Sequence, residues 1–140
     1  MKRMLVYILV AFCVLFPTAA WVQDPQGEVL GEWSGKDSDG YAMSFVFKAD
    51  GTVLFIHGNT VIGGTTNKGT ATWRLDASQN PMHLDVIVTT TSGETSTLPM
   101  IVRFLTDRVI QIRISEDMET RPTRFSDSDN PNQVVFRKQQ

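Results

Sequence analysis

Short runs in which apolar and polar residues alternate, each closed by Gly, Asp, Asn, Ser or Pro, recur from Val29 to Lys138. This period of two constrains the fold more than any other feature. No stretch carries a 3.6-residue apolar repeat long enough for a framework helix, so burial has to be achieved by strands with one dry face. Candidate strands lie near 29–35, 41–48, 52–57, 69–75, 83–91, 97–104, 109–115 and 133–138. About eight short strands in one small domain predict an all-β fold, either a closed barrel or a sandwich.

Two turns set registers. Asp50-Gly51 is a strong hairpin signal, because both central residues of a type I′ turn need positive φ. The two-residue turn places Phe47 opposite Leu54 and Phe45 opposite Ile56 on the inner face, with Lys48 opposite Val53 and Ser44 opposite His57. Val46, Val53 and Phe55 are then left on a mixed outer face, where apolar residues would mark a partner surface. At Thr106-Asp107 a two-residue loop would mix Arg103 into the apolar face, and one extra loop residue, Thr106-Asp107-Arg108, cures this. Met100, Val102 and Phe104 then share a face with Ile110, Ile112 and Ile114. The same alternation gives dry faces to Ala71, Trp73 and Leu75 and to Leu84, Val86 and Val88.

The N-terminus reads differently from the rest. A basic start at Lys2 and Arg3, an apolar run from Met4 to Phe16 and a small-residue exit at Pro17 to Ala20 are expected of a secretory signal peptide over 1–20, cut between Ala20 and Trp21. The apolar run is shorter than the roughly 20 residues a membrane-spanning helix needs. Cleavage removes two of the thirteen basic residues and none of the fifteen acidic ones, taking the net charge from -2 to -4, and it removes the single cysteine, Cys13. The expected product is a lead-in over 21–28 and a barrel domain over 29–138, exported to a periplasmic or extracellular space, without disulfide or thiol chemistry.

Chemistry-bearing patterns are sparse. The mild acidity and the lack of a basic run argue against nucleic acid as a partner. Two histidines and no mature cysteine, without His-x-x-x-His spacing, lead to the expectation of no metal and no cofactor. Ser44 with His57 is the one nucleophile and base pair that the register supplies, and it lacks the Gly-x-Ser-x-Gly elbow of hydrolases. His83 and Asp85 share a strand face, a spacing that fits a solvated polar edge as well as an acid–base pair. Gly63-Gly64 precedes no helix and so cradles no phosphate. No catalytic residue is assigned. Two connections stand out by length: the glycine-rich 58–68, and the polar 116–132 carrying Glu116, Asp117 and Glu119. Loops of that length are functional or loose.

Gly31-Glu32-Trp33 in the first strand resembles the Gly-x-Trp signature of lipocalins. Trp73-Arg74-Leu75-Asp76, Asn80-Pro81-Met82-His83-Leu84-Asp85, Arg121-Pro122-Thr123-Arg124-Phe125 and Val135-Phe136-Arg137-Lys138 follow in the order seen in exported lipocalin-like bacterial domains, a family without an assigned activity. The resemblance covers about residues 29–138 and implies a meandering barrel in which a basic side chain from the last strand covers the first-strand Trp, here Arg137 over Trp33. By analogy with lipocalins, the expected function is binding of a small apolar or amphipathic molecule inside the barrel, lined by Phe45, Phe47, Leu54, Ile56, Trp73, Val102 and Phe104. The alternative is a barrel plugged by those same side chains, serving as an envelope or extracellular protein-interaction module. An eight-stranded interior admits either.

Overall fold

The computed structural model describes residues 24–64 and 69–140. The expected signal peptide, its cut site, Cys13 and residues 65–68 of the glycine-rich connection lie outside the described residues. Within them the chain is all-β. A single helical turn, α1 (Pro25–Glu28), leads into nine antiparallel strands: β1 (Gly31–Lys36), β2 (Ala42–Phe47), β3 (Val53–His57), β4 (Thr60–Ile62), β5 (Thr70–Asp76), β6 (Met82–Thr89), β7 (Thr95–Thr106), β8 (Val109–Ile114) and β9 (Gln133–Lys138). The ninth strand, beyond the expected eight, is β4. The glycine-rich stretch folds back through Gly58-Asn59, pairing His57 with Thr60 and Phe55 with Ile62.

One sheet runs in the order β4-β3-β2-β1-β9-β8-β7-β6-β5. It curls until its two ends meet at a bridge between Thr52 and Thr72, reinforced by the Trp73 N–H donating to the Gly51 carbonyl at 3.0 Å. The result is a nearly closed barrel. Gly63 sits beside this seam: a Cβ there would come within 2.3 Å of the Val53 carbonyl oxygen on the adjoining strand and 3.3 Å of the Ala71 Cβ across the seam, so glycine is needed for the chain to pass this closely.

The first hairpin corrects the expected register by one residue. Phe47 pairs with Val53, Phe45 with Phe55 and Met43 with His57. The turn is Lys48 to Thr52 with three residues between them, because Gly51 has φ of 86° while Asp50 does not adopt positive φ. Asp50 instead turns its carboxylate onto the Thr52 N–H (2.9 Å) and hydroxyl (2.6 Å), which holds a type I turn followed by a glycine bulge. A one-residue slip exchanges faces. Val53 and Phe55 therefore point inward, and Leu54 and Ile56 point outward, each half-buried. Phe55 packs on the core, which removes the outer-face reading of Val53 and Phe55.

At the other turn the expected face is present, with Met100, Val102 and Phe104 opposite Ile114, Ile112 and Ile110. The extra residue is taken up as a bulge between Phe104 and Thr106, leaving Leu105 nearly half exposed. The pairing of Ala71, Trp73 and Leu75 with Val88, Val86 and Leu84 also follows the alternation.

One end of the barrel is sealed. Trp33, Phe45, Phe47, Leu84, Met100, Val102, Ile110, Ile112 and Phe136 are essentially inaccessible and fill this half. The helical turn α1 crosses it: Val29, which is not in a strand, is fully buried, and its carbonyl accepts the Trp33 indole N–H at 2.7 Å. The basic cover over Trp33 is Lys138, not Arg137. Lys138 pairs with Trp33 on the inner face and holds its Nζ 5.2 Å from the ring centroid while donating to the Glu28 carbonyl at 3.1 Å. Arg137, one residue back, faces outward beside Ser34.

The polar segment 116–132 is an ordered strap against the outside of β6 to β8. Asp85, only 5% exposed, receives Arg121 Nη2 at 2.6 Å and Arg74 Nη2 at 3.0 Å. Arg121 Nη1 also donates to the Met100 carbonyl at 2.7 Å. Arg113 donates to the Arg124 carbonyl at 2.7 Å, and the Arg103 guanidinium lies 4.3 Å from the Phe125 ring centroid. Ile101, on the outer face by alternation, is completely buried there.

Candidate functional site

The half of the barrel opposite α1 is hollow. Here β1, β3 and β8 end, β6 turns into β7 and β9 begins. The aromatic plug stops short of this end, and a cavity of about 280 Å³ opens to solvent above it. Met43, Phe55 and Ile62 from β2 to β4 form one wall, and Val86, Val88, Leu98 and Ile114 from β6 to β8 form the other. The alternation of each strand supplies these apolar groups directly. Polar groups gather at the rim: Asp37 after β1, His57 at the end of β3, Ser96 near the start of β7, and Asn132 before β9. Met118 of the strap overhangs the mouth. It holds φ of 64°, unusual for a non-glycine residue. The turn is fixed by Asp117, whose carboxylate accepts the Thr120 N–H at 2.7 Å, the Glu119 N–H at 2.9 Å and the hydroxyls of Ser115 and Thr120. Led by the Thr120 N–H, these donors hold the Asp117 carboxyl well below the usual carboxylate range.

The rim carries one imidazole–carboxylate pair. His57 Nε2 lies 2.7 Å from Asp37 Oδ2, with the two side chains 44% and 12% exposed. The other Asp37 oxygen accepts the Tyr41 N–H at 2.8 Å and the Asp39 N–H at 3.0 Å. The His57 hydrogen bond first, and these two backbone donors after it, hold the Asp37 carboxyl below its ordinary value against the opposing effect of partial burial. Four rings rise from plug to rim along neighbouring strands. Phe47 stacks on Phe45 at 5.4 Å, Phe45 on Phe55 at 4.7 Å, and Phe55 on His57 at 6.4 Å, with interplanar angles of 10°, 26° and 26°.

None of the seven residues expected to line a ligand site borders this cavity. Phe45, Phe47 and Val102 belong to the plug. Leu54 and Ile56 are on the outer face. Trp73, half-buried, donates from its indole to the Lys48 carbonyl at 3.0 Å and borders a more open depression of about 440 Å³ at the sealed end. Phe104, together with Val102, borders another of about 340 Å³ beside Phe125. Ser44 and His57 do not meet: Ser44 faces outward, its hydroxyl 3.1 Å from that of Ser34. Asp85 is committed to the two arginines, so His83 and Asp85 form no pair.

No family model, curated protein or solved structure matches the chain. Among the described residues no cluster of three or more His, Cys, Asp or Glu is placed to hold a metal ion, and no helix is long and apolar enough to cross a membrane. The arrangement suits reversible burial of an apolar body with one polar group left at the rim.

Proposed function

We propose that this is an exported barrel that binds a small apolar or amphipathic molecule in its open half. The observation that carries the reading is the cavity itself: an apolar pocket walled by β2 to β4 and β6 to β8, with polar groups confined to the mouth. A pocket of about 280 Å³ is close to the small end of ligand sites, and at ~30 Å³ per water it corresponds to about nine water volumes, so the occupant has roughly ten non-hydrogen atoms. The plug below it limits depth, so long-chain lipids are disfavoured. Export rests on the N-terminal pattern alone. The alternative, a protein-interaction module, rests on the half-buried outer strip of Val46, Leu54, Ile56 and Val61. The open cavity favours ligand binding.

Calorimetric titration with alkylbenzenes of increasing chain length tests this. Affinity is expected to rise by about fourfold per methylene, the equivalent of ~0.8 kcal/mol, and to stop rising once the cavity is full. Val88→Trp, which fills the mouth, is expected to abolish binding. Absence of saturable binding by any member of the series, or unchanged binding by the Trp variant, would overturn the reading.

A further inference from the structure

Building on the ligand-binding reading above, we infer that the His57 ring selects for a phenol-like ligand, with His57 Nδ1 accepting the hydroxyl while the ring packs along the aromatic wall. The tautomer decides this. Asp37 already accepts two backbone N–H groups, and its carboxylate can only accept from His57, so Nε2 must carry the proton in the 2.7 Å contact. In the neutral imidazole the other nitrogen is then an acceptor. No described group donates to Nδ1, and the ring borders the cavity. A ligand that buries this rim has to bring a donor or leave an acceptor unsatisfied.

The wall chooses the body of the ligand. Phe45, Phe55 and His57 form a near-parallel column that ends at the rim, with Phe55 and His57 themselves bordering the cavity. A planar ring can continue that stacking, which a flexible alkyl chain cannot. One ring, a short alkyl tail and one hydroxyl come to roughly ten non-hydrogen atoms, the size the cavity sets. A carboxylate head fits less well, because it would bring a second negative charge beside Asp37 and offer no donor to Nδ1.

The test uses 4-propylphenol, propylbenzene and 4-propylbenzoate at neutral pH, titrated calorimetrically into the purified protein and its His57→Phe variant. The Phe variant keeps an aromatic ring at a half-exposed position, and its fold is checked by circular dichroism. For the wild type, 4-propylphenol is expected to bind about five- to tenfold tighter than propylbenzene, the gain of one hydrogen bond that is otherwise left unmade, with 4-propylbenzoate weakest. In His57→Phe the phenol should bind no tighter than propylbenzene. Equal binding of phenol and propylbenzene to the wild type would overturn the inference while leaving the barrel as an apolar binder. So would a preference that survives in the variant, or a benzoate that binds tightest. Failure of both neutral probes to bind would remove the binding reading and this inference together.

Discussion

Arg121→Met tests whether the strap is held by one guanidinium. The substitution keeps the stem of the side chain and removes its donors, leaving Asp85, 5% exposed, with Arg74, whose own side chain is 71% exposed. Loss of a charge-assisted hydrogen bond costs ~1.5–3 kcal/mol, and loss of the bond to the Met100 carbonyl about 0.5–1 more, since that carbonyl can still be used by the sheet. The expected destabilisation is about 2–4 kcal/mol, a large part of the 5–15 kcal/mol typical of a domain. At about 4 °C per kcal/mol for this size, the Tm should fall by about 8–16 °C. Thermal unfolding followed by circular dichroism reads it directly. Because the penalty comes from a buried carboxylate short of partners, the double variant Asp85→Asn/Arg121→Met should recover at least about 1 kcal/mol over Arg121→Met alone. A single variant that loses under about 1 kcal/mol, or a double variant no more stable than the single, would refute the reasoning.

Two further outcomes are expected. Val53→Asn places an amide in the sealed half and should cost about 3 kcal/mol or more, whereas Leu54→Asn on the outer face should cost about 1 kcal/mol or less. Urea unfolding separates them, and the reverse order would restore the two-residue turn. Asp117 has a native pKa below the unfolded value of about 3.9. Its stabilising contribution is present above that value and lost as pH falls through the lower native pKa, so acid titration of wild-type stability should be steeper below about pH 4 than that of Asp117→Asn, by up to about one proton.

The alternation of Val, Ile, Thr and Phe made the barrel and most of its strands legible, because a period of two has one physical use. The register at Asp50-Gly51 was not, since that dipeptide suits a two-residue turn and a three-residue bulged turn equally. What separates them is whether Asp50 takes positive φ or spends its carboxylate on Thr52, a choice made after the sequence is read. The cavity was missed for a related reason. Alternation tells which side chains face inward but not how far along the barrel they sit, so Phe45 and Phe47 looked like a lining when they are the plug. Met43, Val88, Leu98 and Ile114 gave the same inward signal. The partnership of Asp37 with His57 spans 20 residues and follows only once Met43 is set beside His57 on the inner face. Arg121 with Asp85 spans 36 residues and had no local signal at all.

The two ends of the described chain lie side by side. Lys138 pairs with Trp33, and the Gln139 N–H donates to the Glu32 carbonyl at 2.8 Å, while the seam lies between β3–β4 and β5. Joining the last strand to the first and opening the backbone between Ile62 and Thr70 would therefore make order in sequence identical to order in space, a plain run of nine neighbours. In the natural connectivity, among the described strands, β1 and β9 are the adjacent pair that must find each other across the whole length of the domain. That search is the entropic toll on closing the barrel. A circularly permuted chain would shift it from the β1–β9 ladder to the single Thr52–Thr72 bridge, and should fold faster to the same cavity.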